Sequence, residues 1–79
     1  MATVRFFAAA ADAAGIDETT VDAVRLGDLT SALVERFGPE LQRVLAKSSY
    51  LIDGERTTDA SHGLAPDALV DVLPPFAGG

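Results

Sequence analysis

The sequence predicts a single α+β domain in which a mixed sheet carries one main helix on one face. Three observations lead there: β-branched and aromatic runs near both ends of the chain, one amphipathic helical stretch between them, and an Asp-Gly pair flanked by strand-like segments. Seventy-nine residues leave room for one core only. That core is thin, because 14 of the hydrophobic residues are alanine and the larger apolar side chains number 24.

Thr3-Val4-Arg5-Phe6-Phe7 reads as the first strand, with Val4 and Phe6 on one face and Arg5 and Phe7 on the other. Ala8 to Ala14 is nearly all alanine, the best helix former, and Gly15 supplies a left-handed stop. Thr19 to Val24 alternates weakly and fits a second strand pairing back with the first. Asp28 is suited to accept hydrogen bonds from the free amides of a helix start, and Leu29, Ala32, Leu33 and Phe37 then form one apolar stripe. Gly38 and Pro39 end that helix, and Leu41, Val44 and Leu45 suggest a further helical turn. Ser49 to Ile52 and Glu55 to Thr58 flank Asp53-Gly54, a pair that tolerates the positive φ of a tight hairpin. Leu64 is an apolar anchor in an otherwise polar connection. Ala68 to Leu73 reads as the last strand, and its apolar density predicts a central position.

Composition narrows the chemistry. The absence of cysteine removes disulfides, thiolate metal sites and cysteine nucleophiles, and a single histidine leaves no multi-histidine metal site. No metal is therefore expected. A net charge of −6 opposes binding to a phosphate backbone, and would steer the chain towards basic partner surfaces. No apolar run reaches the roughly 20 residues that span a bilayer, and no basic leader precedes an apolar stretch, which predicts a cytoplasmic chain with no membrane partner. Asp59, Ser61 and His62 contain the residue types of a hydrolase triad, but neighbours in a polar loop seldom converge and no oxyanion-hole motif accompanies them. Lys47, the sole lysine, reads as a solvated surface charge rather than an isopeptide acceptor.

The chain ends Pro74-Pro75-Phe76-Ala77-Gly78-Gly79. Two prolines remove two backbone donors, so the last strand stops at Leu73 and residues 74–79 leave the domain of residues 1–73 as an extended tail. Four residues beyond Pro75 span on the order of 13 Å. Ala77, Gly78 and Gly79 are slim enough for a narrow channel in another protein, with Phe76 as an apolar anchor at its mouth. A frayed end is the plain alternative, yet at average composition a Pro-Pro-x-x-Gly-Gly ending arises on the order of once in 10⁵.

This ending, with Phe6-Phe7 on the first strand, the alanine-rich helix closed by Gly15, the Asp28 helix and the hairpin, resembles the ubiquitin-like sulfur carriers of the MoaD/ThiS family, specifically the small subunits of molybdopterin synthase. Two departures are Ala65-Pro66-Asp67, where the family often has an Asp-Gly-Asp turn, and Phe76, where it often has valine. The resemblance implies the β-grasp fold and a non-catalytic carrier subunit that holds sulfur as a thiocarboxylate on Gly79. It implies three partners: an ATP-dependent adenylating enzyme, a persulfide sulfur relay, and the large subunit of molybdopterin synthase, where the sulfur builds the dithiolene of the molybdenum cofactor. No cofactor is expected on the chain itself, ATP being used by the activating partner. Phe7 and Leu73 are candidates for the docking surface. Other destinations in keeping with the same tail are thiazole synthesis for thiamine and cysteine synthesis, and the readings outside carrier chemistry are a regulatory β-grasp module and isopeptide conjugation.

Overall fold

Alternation of small or apolar residues with polar ones makes β1, Ala2–Phe6, a strand with one buried face: Ala2, Val4 and Phe6 are buried while Thr3 and Arg5 are half-exposed. The structure is a computed structural model that describes residues 1–75. Helix α1, Ala9–Ala14, ends at Gly15, whose φ of 79° is the left-handed stop expected there. Strand β2 is Glu18–Val21, shorter than the sequence suggests, and lies antiparallel to β1. The residues after Val21 are drawn elsewhere: the Val24 carbonyl accepts from the Leu64 N–H, and Arg25 bridges to Gly63.

Helix α2, Leu26–Phe37, begins two residues before Asp28, which sits inside the first turn instead of capping it. A side-chain cap is unnecessary because the loop over α2 supplies the acceptors. The Leu26 N–H donates to the His62 carbonyl at 3.0 Å and the Gly27 N–H to the Ala60 carbonyl at 2.8 Å. That approach is close enough that a Cβ at Gly27 would lie 3.2 Å from the Ala60 oxygen. Gly38, at φ 93° and ψ −171°, holds a conformation reserved for glycine. Pro39 then opens a separate helix, α3, Pro39–Leu45, at the first position where proline lacks nothing.

Strands β3, Ser49–Ile52, and β4, Glu55–Thr57, form the expected hairpin, with Asp53 at φ 50° and Gly54 at φ 88° in its turn. Asp53 also ties the hairpin to the start of β5, Leu69–Leu73: its N–H donates to the Leu69 carbonyl and its Oδ1 accepts from the Leu69 N–H, both at 2.9 Å. The strand order β2-β1-β5-β3-β4 places β5 at the centre, parallel to β1 and antiparallel to β3. Leu26, Leu29 and Leu33 of α2, Leu41 and Leu45 of α3, and Ala10 of α1 pack with Val4, Phe6, Val70, Val72 and Ile52 into one core. Phe37 meets Phe6 edge to face, with centroids 5.8 Å apart. All three helices therefore cover one face of the sheet, and among the described residues no helix covers the other.

Tyr50, on the covered face, is 5% exposed, and its hydroxyl lies 3.4 Å from the Leu45 carbonyl oxygen. Burial pushes its phenol up to about 12. An unfolded tyrosine ionises near ~10, so the unfolded chain loses its proton first as pH rises. The contribution is therefore fully present below ~10 and is lost progressively up to about 12, amounting to roughly 2 kcal/mol. Urea unfolding at a series of alkaline pH values is expected to show this decline, and Tyr50→Phe to remove it. Because Tyr50 is the sole tyrosine, phenolate absorbance reads its titration directly.

Candidate docking groove at the base of the tail

The open face of the sheet is organised by register. Arg5 of β1 stands beside Asp71 of β5, Asp71 beside Leu51 of β3, and Leu51 beside Arg56 of β4, while Glu18 of β2 flanks Arg5 from the other side. Residues so paired point to the same face. Arg5 grips Asp71 with two hydrogen bonds, Nε to Oδ1 at 2.6 Å and Nη2 to Oδ2 at 2.9 Å, joining residues 66 apart in sequence. The pair neutralises a charge in the middle of the central strand, where the Asp71 side chain is 13% exposed. The hydrogen bonds from Arg5 to Asp71, with the attraction of Asp71 and a smaller contribution from Glu18, hold the Arg5 guanidinium above its ordinary value. It is cationic at every pH of interest. Its guanidinium carbon also lies 5.9 Å from the centre of the Phe7 ring.

Phe7 follows β1 directly and is 42% exposed. Leu73 ends β5, half-buried, one step beyond the Phe6–Val72 pairing. Neither belongs to the core cluster, whereas Phe6 does. Beside them the chain leaves the sheet through Pro74, half-buried, and Pro75, exposed. Phe7, Leu73, Pro74 and Pro75 line a groove of about 530 Å³, and Lys47 and Arg56 also line it. Phe76, Ala77, Gly78 and Gly79 lie outside the described residues. A second groove, of about 500 Å³, runs between α2 and α3 above Tyr50, and nothing from the base of the tail borders it.

The remaining polar constellations have structural roles. Ser61 Oγ donates to Asp59 Oδ1 at 2.7 Å, and the Ser61 N–H to the same oxygen at 2.9 Å, so the hydroxyl proton a nucleophile would yield to His62 is engaged with Asp59. These two bonds from Ser61, with a smaller attraction from His62, hold the Asp59 carboxyl below its usual range. Among the described residues there is no cluster of three or more metal-ligating side chains, and no helix is long and apolar enough to cross a membrane.

Pro74, Pro75, Phe7 and Leu73 thus line one groove. Arg5, Asp71, Lys47 and Arg56 are additional. A signal for the first two exists in the sequence, since each is the lone charge of its strand, Asp71 at the middle of an otherwise apolar one. Nothing local marks Lys47, in the connection from α3 to β3, or Arg56, in β4, as lining residues of one groove.

No protein-family model matches the chain, and no curated protein matches it. Solved structures do. Small archaeal modifier protein 1 from Haloferax volcanii superimposes with a TM-score of 0.84 at 27% identity, over 99% of this chain and 98% of that one. The protein of the same name from Methanosarcina acetivorans gives 0.85 at 22% identity, over 99% and 95%. A chain from the complex of subunits 1 and 2 of molybdopterin-converting factor from Helicobacter pylori gives 0.74 at 22% identity, over 99% and 97%. The chain has the ubiquitin-like β-grasp fold, and its structural neighbours include the small archaeal modifiers and molybdopterin-converting factor.

Proposed function

We propose that the chain is a sulfur carrier, the small subunit of a molybdopterin synthase, which presents its C-terminal glycine to partner enzymes. The supporting observation is the end of the sheet: central strand β5 stops at Leu73, and Pro74-Pro75, outside the strand, line a partly apolar groove. The rest of the molecule offers structural polar groups and no assembled catalytic constellation among the described residues, which suits a carrier whose chemistry is supplied by others.

In this reading the Gly79 carboxylate attacks the α-phosphorus of ATP on an adenylating enzyme, releasing pyrophosphate and forming an acyl-adenylate. A persulfide sulfur then displaces AMP, and reductive cleavage of the sulfur–sulfur bond by a thiol leaves the thiocarboxylate. The large subunit next receives Phe76 to Gly79 in a channel, docked through Phe7 and Leu73, and the sulfur passes to a pterin precursor for the dithiolene. The complex of subunits 1 and 2 from Helicobacter pylori supports such a partner. The proposed setting is the cytoplasm.

Incubation with ATP, the adenylating enzyme and a sulfur donor is expected to raise the intact mass by the difference between sulfur and oxygen. An unchanged mass would leave a β-grasp module without carrier chemistry. The likeness to small archaeal modifier protein 1 favours a second use of the same activated glycine, amide formation with lysines of other proteins. That use would appear in cells as a ladder of covalent adducts.

A further inference from the structure

The groove at the base of the tail has a sign opposite to that of the protein. Twelve acidic residues outnumber six basic ones over the chain, yet the groove lining contains Lys47 and Arg56 and no acidic residue. Both cations are exposed. Among the described residues the ion pair is Arg5–Asp71, so neither Lys47 nor Arg56 is matched there by an acid. Phe7, Ala8, Leu73, Pro74 and Pro75 supply the apolar part of the groove lining, and the neutral hydroxyls of Ser48, Ser49 and Thr58 complete it. A groove lined by apolar groups and two cations has a definite complement, because a buried apolar contact supplies most of the attraction while charges beside it set orientation and partner choice.

We propose that this groove docks a protein surface carrying an apolar side chain flanked by carboxylates, on the partner that receives the tail. The inference rests on the carrier reading above and reverses the expectation from net charge: the chain approaches its partner with its locally basic corner foremost. Lys47 and Arg56 would each face a partner carboxylate. The acidic remainder of the chain would oppose docking by any other face, so the tail enters in a single orientation.

The test is the affinity of the full chain for subunit 2 of the molybdopterin-converting factor of the same cell, measured by titration calorimetry at low and high sodium chloride. The unsubstituted chain is expected to bind more weakly as salt rises. The double variant Lys47→Glu and Arg56→Glu is expected to bind about tenfold more weakly or worse at low salt and to lose most of that salt dependence. Lys47→Arg with Arg56→Lys, which keeps both charges, should bind within about twofold of the original, as should Glu35→Lys on the exposed side of α2. Thermal unfolding of each variant verifies that the fold persists. Undiminished binding by the charge-reversed chain, or binding that tightens with salt, would overturn the inference alone. Absence of binding by the unsubstituted chain would overturn both the inference and the reading beneath it.

Discussion

Removing Gly79 is expected to slow sulfur loading by about 100-fold or more without changing the thermal midpoint of the protein. The deletion leaves a glycine at the end, Gly78, so the chemistry of the terminal group is the same. What changes is reach. Each extended residue spans roughly 3.5 Å, and a displacement of even ~1 Å from a near-attack geometry costs about two orders of magnitude in rate. An alanine appended after Gly79 should be equally damaging, because it moves the acyl carbon outward and places a Cβ beside it. Stability is expected to be spared in both cases because β5 ends at Leu73 and the core formed by the described residues lies upstream of that point. The rate of mass gain in the loading reaction measures the effect. Loading at the original rate in either variant would refute a carrier function for the terminal glycine.

Leu33→Ala is expected to be the most damaging kind of single core change, lowering stability by about 3–5 kcal/mol. Leu33 is 0% exposed at the middle of α2, facing the sheet between Leu29 and Phe37. Its removal loses both the transfer energy of the side chain and the contacts around the cavity left behind. A domain of this size has roughly 4–12 kcal/mol in total, so the loss is a large share of it. Leu51→Ala, on the open face and half-buried, should cost only about 1 kcal/mol. Urea midpoints for the two variants compare them, and equal midpoints would contradict the assignment of a covered and an open face.

Much of the secondary structure is legible in local chemistry. Gly15 and Gly38 end helices because they adopt positive φ angles that glycine takes without a Cβ penalty, and Asp53-Gly54 turns the hairpin with positive φ at both residues. Boundaries were less legible where distant groups intervene. Helix α2 starts at Leu26 because the carbonyls of Ala60 and His62, more than 30 residues away, satisfy its first amides, and no sequence signal near Asp28 reports them. Strand β2 stops at Val21 because its continuation is engaged with the Gly63–Leu64 segment. Pro39 reads locally as a terminator, yet it also opens α3, since the first helical position needs no N–H.

The amino-acid sequence by itself determined the alternating strands, the apolar stripe of α2, the glycine stops and the Pro-Pro exit from the last strand. These follow from side-chain period and permitted φ, properties that a few adjacent residues decide. Only the tertiary structure decided which large apolar groups stay out of the core, setting Phe7 and Leu73 beside the exit of the tail while Phe6 points inward. It alone joined Arg5 to Asp71 through the parallel pairing of β1 and β5, and brought Lys47 and Arg56 to one groove. Those contacts depend on strand order and register, which are set by burial of the whole core rather than by neighbours along the chain.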